Sequence, residues 1–196
     1  MFATDILQGH YVRLEPLTLE HHAPLCEVGL EPELWRWTPQ QIQTPGDMLE
    51  YMENTLRARD KELEAPFATI ERSSGRVVGS TRFMNIELKH RRLEIGSTWI
   101  APAWQRTAIN TEAKYLMLSH AFGPLQCHRV EFKTDVLNMK SREAILRIGA
   151  KQEGIFRNHI VTASGRIRDS IWFSIIGSEW PEVKADLERR LSSRGY

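Results

Sequence analysis

Apolar and polar positions along the chain change period several times, and each change marks an element. Across residues 11–17, Val12 and Leu14 alternate with Arg13 and Glu15, which predicts a short half-buried strand. Residues 19–30 follow as a helix with Thr18 at its N-cap. An aromatic-rich stretch, residues 33–37, stops at Pro39. Thr44 caps a second helix, with Pro45 at its first position, Asp47 in its first turn, and Met48, Tyr51, Met52 and Leu56 as the apolar stripe. After Pro66 the period shortens to that of strands. Residues 67–71 and 77–83 flank Ser73-Ser74-Gly75, a hairpin signal, and residues 93–100 form a third strand of this group. The helix over residues 110–122 is apolar nearly all round, with Tyr115, Leu118 and Phe122 added to Ala113, Leu116, Met117 and Ala121, so it is expected to be central and buried. Residues 129–136 alternate strictly, Val130, Phe132, Thr134 and Val136 on one face and Arg129, Glu131, Lys133 and Asp135 on the other. A short helix over 141–148 ends at Gly149. Residues 151–159 and 168–176 read as antiparallel strands around Ser164-Gly165. Ser178 caps a terminal helix, with Pro181 near its start and Val183, Leu187 and Leu191 at i, i+4 and i+8.

The order is β-α-α-β-β-β-α-β-α-β-β-α. The third strand leads through the buried helix into the next strand, and such a crossover normally makes the two parallel. The repeated βαβ units of a doubly wound fold are missing, and neither GxGxxG nor GxxxxGK[ST] occurs. The fold class is therefore α/β: a mixed, mostly antiparallel sheet with a parallel pair at its centre, flanked by helices. A length of 196 residues, 41% of them hydrophobic, suits a single domain over 1–196, with residues 178–196 as a C-terminal helical extension.

Composition narrows the partners. The formal net charge is +1 and the Arg and Lys residues are scattered among Asp and Glu, so no field recruits nucleic acid and no polybasic run marks a membrane surface. No run approaches the ~20 apolar residues needed to span a bilayer, and MFATDILQGH lacks the pattern of a secretory signal. Cys26 and Cys127 are far apart and have no CxxC partner, so neither a disulfide nor a zinc site is expected. His21-His22 has no acidic or Cys partner at ligand spacing, and no metal is predicted. These features place the chain in a reducing cytoplasm. Nothing in the sequence bears on oligomeric state.

Residues 93–123, LEIGSTWIAPAWQRTAINTEAKYLMLSHAFG, resemble the coenzyme-binding core of the GNAT acetyltransferase superfamily, nearest to its Rim-type branch, which acetylates N-terminal amines of ribosomal proteins. The family's elements recur in order: a strand with Glu94-Ile95-Gly96, then Gln105-Arg106-Thr107-Ala108-Ile109-Asn110 in place of the Q/R-x-x-G-x-G/A loop, then a Thr111-Glu112-Ala113 helix start. Downstream lie Asn138-x-x-Ser141, Arg147-Ile148-Gly149-Ala150, Glu153-Gly154 with Arg157, and Gly165 with Asp169. The resemblance covers roughly residues 10–177. It implies the acyl-CoA N-acyltransferase fold and acetyl-CoA as co-substrate, with a primary amine as acceptor, either a protein N-terminus or a small molecule. A non-catalytic acyl-CoA-binding or regulatory module on the same fold is the alternative.

The residues implied are as follows. Amides from Arg106 to Thr111 meet the pyrophosphate, since a loop entering a helix offers unpaired N–H groups and the positive end of the helix dipole. Gln105 and Arg106 add side-chain contacts. Trp99, Ile100 and Ala101, at the splayed end of the strand, bind the pantetheine, with the amides of Trp99 and Ala101 polarising the thioester carbonyl. Ala108 and Asn110 replace the two small residues that usually shape the loop; glycine there permits a positive φ or close approach. Glu94 is either the base for the amine or an ion-pair partner of Arg82 or Arg92. Asn138 either bonds the pantetheine or serves as a helix-entry residue, and Ser141 is either a general acid or a cap. Ile145 stands where many relatives carry an acid Tyr. Lys133 and Asp135 look into an acceptor cleft or lie on a solvated edge. Trp35 and Trp37 lie in the family's acceptor-lid region and read as core residues, and His159 with Arg157 and Asp169 is a candidate acceptor group.

Overall fold

The computed structural model describes residues 5–193. Its strands are β1 (Leu7–Gln8), β2 (Val12–Pro16), β3 (Ala65–Glu71), β4 (Val77–Glu87), β5 (Arg92–Ile100), β6 (Arg129–Asp135), β7 (Lys151–Val161) and β8 (Ile167–Ile176). Its helices are α1 (His22–Gly29), α2 (Pro32–Trp35), α3 (Pro45–Asp60), α4 (Ala108–Phe122), α5 (Met139–Arg147) and α6 (Trp180–Ser192). The strands form one sheet in the order β1-β2-β3-β4-β5-β6-β8-β7. All neighbours are antiparallel except β5 and β6, which are parallel, as the α4 crossover requires.

Local chemistry accounts for the best-marked elements. Thr44 Oγ1 accepts from the Asp47 amide at 3.1 Å and Asp47 returns a bond to the Thr44 amide at 2.9 Å, a reciprocal cap that starts α3 where Pro45 can begin a helix. Gly75 closes the β3–β4 turn at φ +71°, with its amide on the Glu71 carbonyl. Two expectations shift. Residues 19–30 split into a 3₁₀ turn (Leu19–His21) and α1. Ser178 does not cap the last helix: Glu179 holds the cap position of α6 and its carboxylate accepts from the Ile176 amide at 3.1 Å. Residues 194–196 of the predicted extension lie outside the described residues. Among the described residues, no helix is long and apolar enough to cross a membrane.

Each sheet face has its own core. On one, α4 and α6 cover Leu14, Phe67, Phe83, Leu93, Phe132 and Phe173, all essentially inaccessible; each such side chain contributes about 1.5–3 kcal/mol. On the other, α1 and α3 cover the β2–β5 half through Leu17, Ala68 and Trp99, with Trp35 packed on Trp99 at 5.4 Å. That fulfils the core reading of Trp35, whereas Trp37 is half-buried and lies outside both cores, with Arg36 and Arg166 over its ring. The β6–β8 half of this second face carries polar residues instead, and the site lies there and along the adjoining fork.

Candidate active site

Strand β5 pairs with β6 only through Arg92–Arg129, Leu93–Val130 and Glu94–Glu131. Beyond Glu94 the two strands part, while β5 stays paired to β4. The β4–β5 register slips between Ser80 and Arg82, where Ser97 adopts φ +46°, so an extra residue bends β5 at the start of the fork. Strand β4 approaches so closely that a Cβ on Gly79 would lie 2.1 Å from the Trp99 carbonyl oxygen, and only glycine fits there.

This register corrects the expected donors. The Ala101 amide donates to Val78 O at 2.8 Å and is not free. Amides alternate sides along a strand, so Trp99, opposite Ser80, also points its N–H at β4. Ile100 directs its backbone towards the fork instead. Its carbonyl accepts from Gln105 Nε2 at 2.9 Å, which ties the Gln105 side chain to the loop.

The helix that follows starts two residues earlier than expected, at Ala108. Thr107 is the N-cap; its hydroxyl accepts from the Ile109 amide at 3.3 Å and donates to Trp104 O at 2.7 Å. The left-handed residue of the loop is Arg106, at φ +63°, whereas Ala108 and Asn110 are helical, so glycine is not required at either. The amides of Thr107, Ala108, Ile109 and Asn110 form the unladdered end of the helix. That of Thr111 falls within the i→i−4 ladder, and the Thr111 side chain lines a different, small crevice of about 90 Å³ with Arg147 and Arg190. An open cavity of about 790 Å³ lies at the helix start, lined by Thr107, Ala108 and Ile109 and by His10, Arg72 and Ser73. Sequence reading missed these last three, because two turns from distant parts of the chain bring them in. Asn110 Oδ1 is buried without a protein partner.

Asn138 caps α5, its Oδ1 accepting from the Ser141 amide at 3.1 Å. The helix-entry reading is thus realised through the carbonyl oxygen, and the side-chain NH₂ stays available. Ser141 sits in the first turn and is not the cap. Ile145 packs against the main core and brings no hydroxyl.

Glu94, 2% exposed, is held by neither expected arginine. Arg82 bonds Glu64 at 2.5 Å and Tyr51 at 2.7 Å, while Arg92 bonds Glu87 and Glu131. The partners of Glu94 are Lys133 Nζ at 2.9 Å and Asn85 Nδ2 at 2.7 Å, both on Oε2. The charged face of β6 is therefore no solvated edge. Lys133 also lies 5.5 Å from the Trp172 ring centroid, and the fully buried Asp135 bonds Arg166, with Arg168 Nε at 3.9 Å. His159 joins this group but not Asp169, whose carboxylate accepts from the Asn158 amide. Its Nδ1 lies 3.1 Å from Ser170 Oγ and its ring is edge-on to Trp172. Burial, then the charges of Lys133 and Arg168, hold the His159 imidazole below its ordinary pKa.

Two further groups had no signal in the sequence. The Glu112 carboxylate accepts from the amides of His10, Tyr11 and Val12 at 2.6–2.8 Å and locks the β1–β2 turn onto α4. Lys114 is buried in α4 with its Nζ on Thr81 Oγ1 (3.0 Å) and Thr98 Oγ1 (2.6 Å), and desolvation lowers its pKa to about 7.

Residues 12–151 match the acetyltransferase (GNAT) domain model. A GCN5-related N-acetyltransferase from Brucella melitensis shares 32% identity and a TM-score of 0.92, over 99% of this chain and 88% of that one. YdaF of Bacillus subtilis (strain 168), whose name assigns it by inference as a ribosomal N-acetyltransferase, is 32% identical over 110 residues, which are 56% of this chain and 59% of YdaF. RimJ of Mycobacterium smegmatis, solved with CoA-disulfide, is 22% identical with a TM-score of 0.79 over 94% of this chain and 91% of its own, a likeness of fold alone. A fork between the two parallel strands beside an open helix N-terminus, and a family match spanning that region, lead to one conclusion: the chain belongs to the GNAT acetyltransferase family.

Proposed function

We propose that this chain moves an acetyl group from acetyl-CoA to the α-amine of a protein N-terminus by direct attack. The observation that carries the reading is the fork after Glu94, with the Ile100 amide on one side of it and a pinned carboxylate at its base. Acetyl-CoA supplies an activated acyl group on a thiol leaving group. The amides of Thr107, Ala108 and Asn110, with the nearby Arg72, suit a pyrophosphate, and the Asn138 side chain retains its NH₂ for the coenzyme's amides. The Ile100 amide is the preorganised donor for the thioester carbonyl, a contact typically worth ~3–4 kcal/mol.

Glu94 supports an α-amine acceptor over a lysine. Deprotonating an α-amine of pKa ~7.8 at neutral pH costs about 1 kcal/mol, against about 4.6 kcal/mol for a lysine near ~10.4. The α-amine is therefore the acceptor that asks least of a base, and Glu94, held by Lys133 and Asn85 at the base of the fork, stands where it can take the proton. The name of YdaF supports a protein acceptor as well. Ser141 stands as donor to the departing thiolate, since Ile145 has no hydroxyl to offer.

The test is thiol release from acetyl-CoA with peptides bearing a free N-terminus, N-blocked peptides bearing one lysine, and small amines. Turnover confined to free N-termini is expected, with Glu94→Gln lowering it severalfold. Coenzyme binding without any turnover would replace the enzyme by a binding module, and preference for lysine or small amines would refute the acceptor class.

A further inference from the structure

The floor of the cleft beyond Glu94 carries an unbalanced charge. Along β6, Glu131, Glu87 and Glu153 share Arg92 and Arg129, so carboxylates outnumber cations there by three to two. Farther on, among the described residues, Lys133, Arg166 and Arg168 form ion pairs only with Glu94 and Asp135. Arg166 and Arg168 must divide one carboxylate. Arg168 has the poorer share: Asp135 is 3.9 Å from its Nε, the Trp37 carbonyl is 3.4 Å from its Nη1, and Nε has no hydrogen bond although the side chain is only 6% exposed. A guanidinium taken out of water with half a counter-ion is costly, and a second carboxylate would relieve it. Arg166 is a third exposed and lies over the Trp37 ring, so the pair is reachable from the cleft mouth. The depressed basicity of His159, caused in part by Lys133 and Arg168, reports the same positive field.

Strand geometry sets the spacing. Lys133 holds Glu94, and Asp135 lies two residues farther along β6, about 7 Å away at ~3.3 Å per residue. In an amino acid the amine and its own carboxylate are less than about 4 Å apart. The side-chain carboxylate of the second residue of a peptide lies roughly 7 Å from the N-terminal amine, by ordinary chain dimensions.

We infer that the cleft reads a carboxylate one residue beyond the reacting amine, so that the preferred acceptor is a peptide N-terminus with Asp or Glu at its second position. The inference rests on the proposed N-terminal acetylation. Lys133 orients Glu94 at the amine, Arg166 and Arg168 receive the carboxylate beside Asp135, and the stacked Phe156 and Trp172 rings form the wall against which the peptide lies.

Two peptides differing only by Glu or Gln at position two separate this from size and polarity. The Glu peptide should have kcat/KM at least ~10-fold higher, mostly through KM, as expected for a charge-assisted bidentate contact. Arg166→Gln leaves Arg168 and Asp135 as a matched pair, and should cut the preference to about twofold or less. Binding of both peptides, followed by tryptophan fluorescence with CoA present, reads the same preference when no acetylation occurs. Absent turnover with the Glu preference intact in binding would refute acetyl transfer and keep the carboxylate site. Equal affinity and equal kcat/KM for the two peptides, or an unchanged preference in Arg166→Gln, would overturn the inference.

Discussion

Replacing Lys114 by Met perturbs a single buried charge with little change in shape. The Lys114 amine has only two threonine hydroxyls as hydrogen-bond partners, and burial lowers its pKa from 10.5 to about 7. Unfolding returns it to water, where it binds a proton up to about pH 10.5. Between these values the unfolded chain holds more protons than the folded one, so stability rises with pH across the window. Below about pH 7 the folded state bears the full penalty, about 1.4 kcal/mol for each of the roughly 3.5 pH units of displacement, or about 5 kcal/mol. From about pH 6 to about pH 9 the wild-type protein should gain about 3 kcal/mol from this one group. Lys114→Met removes the dependence, and Thr81 and Thr98 stay satisfied by their mutual 2.8 Å bond. The variant should therefore be the more stable protein, by a few kcal/mol at the lower pH and less at the higher. Urea unfolding of both proteins at both pH values reads this as a double difference, in which every other titrating group cancels. Parallel pH curves for the two proteins would refute the reasoning, because Lys114 would then carry the same charge in the folded and unfolded states across the window.

Further expectations follow from the same geometry. Glu112→Ala removes the shared acceptor of three amides in the β1–β2 turn, and at roughly 1–3 kcal/mol per amide should lower stability in urea by about 3–9 kcal/mol. Hydrogen exchange at residues 10–12 should accelerate in that variant more than exchange in β8. Asn138→Ala and Asn138→Ser divide two roles: both lose the side-chain NH₂, but Ser keeps an N-cap oxygen. Both should weaken acetyl-CoA binding in calorimetry, while only Ala should also lose about 1 kcal/mol of stability. Unchanged affinity in both would limit Asn138 to capping.

The elements with local causes were legible along the chain. The α3 cap, the all-round apolar α4 and the alternation of β6 each depend on residues within a few positions of one another, and each stands as read apart from the two-residue shift at the start of α4. The short β1, with two residues, carries no period to detect. At the fork the sequence pointed to the end of β5, where the amides of Trp99 and Ala101 face β4. Which N–H faces outwards depends on one extra residue at Ser97, and a one-residue change in register exchanges the two sides of a strand. The loop shows the same limit: the place of the family's glycine suggested a left-handed residue at 108 or 110, whereas Arg106 adopts it because the helix begins at Ala108.

Partners were the least legible of all. Glu94 was expected to meet Arg82 or Arg92, and meets Lys133, which lies 39 positions away. Lys114 and Glu112 sit in the middle of an apolar helix where the pattern expects core, and their partners come from strands and turns between 16 and 102 positions away. By itself the sequence determined the longer elements and their order, the parallel central pair and the family, because periodicity, capping and crossover handedness are local or topological properties. Only the tertiary structure decided which amide opens to the fork, which charges meet on the cleft floor and which one is left over. Those depend on register and on side chains brought together across the sheet, and no spacing along the chain encodes them.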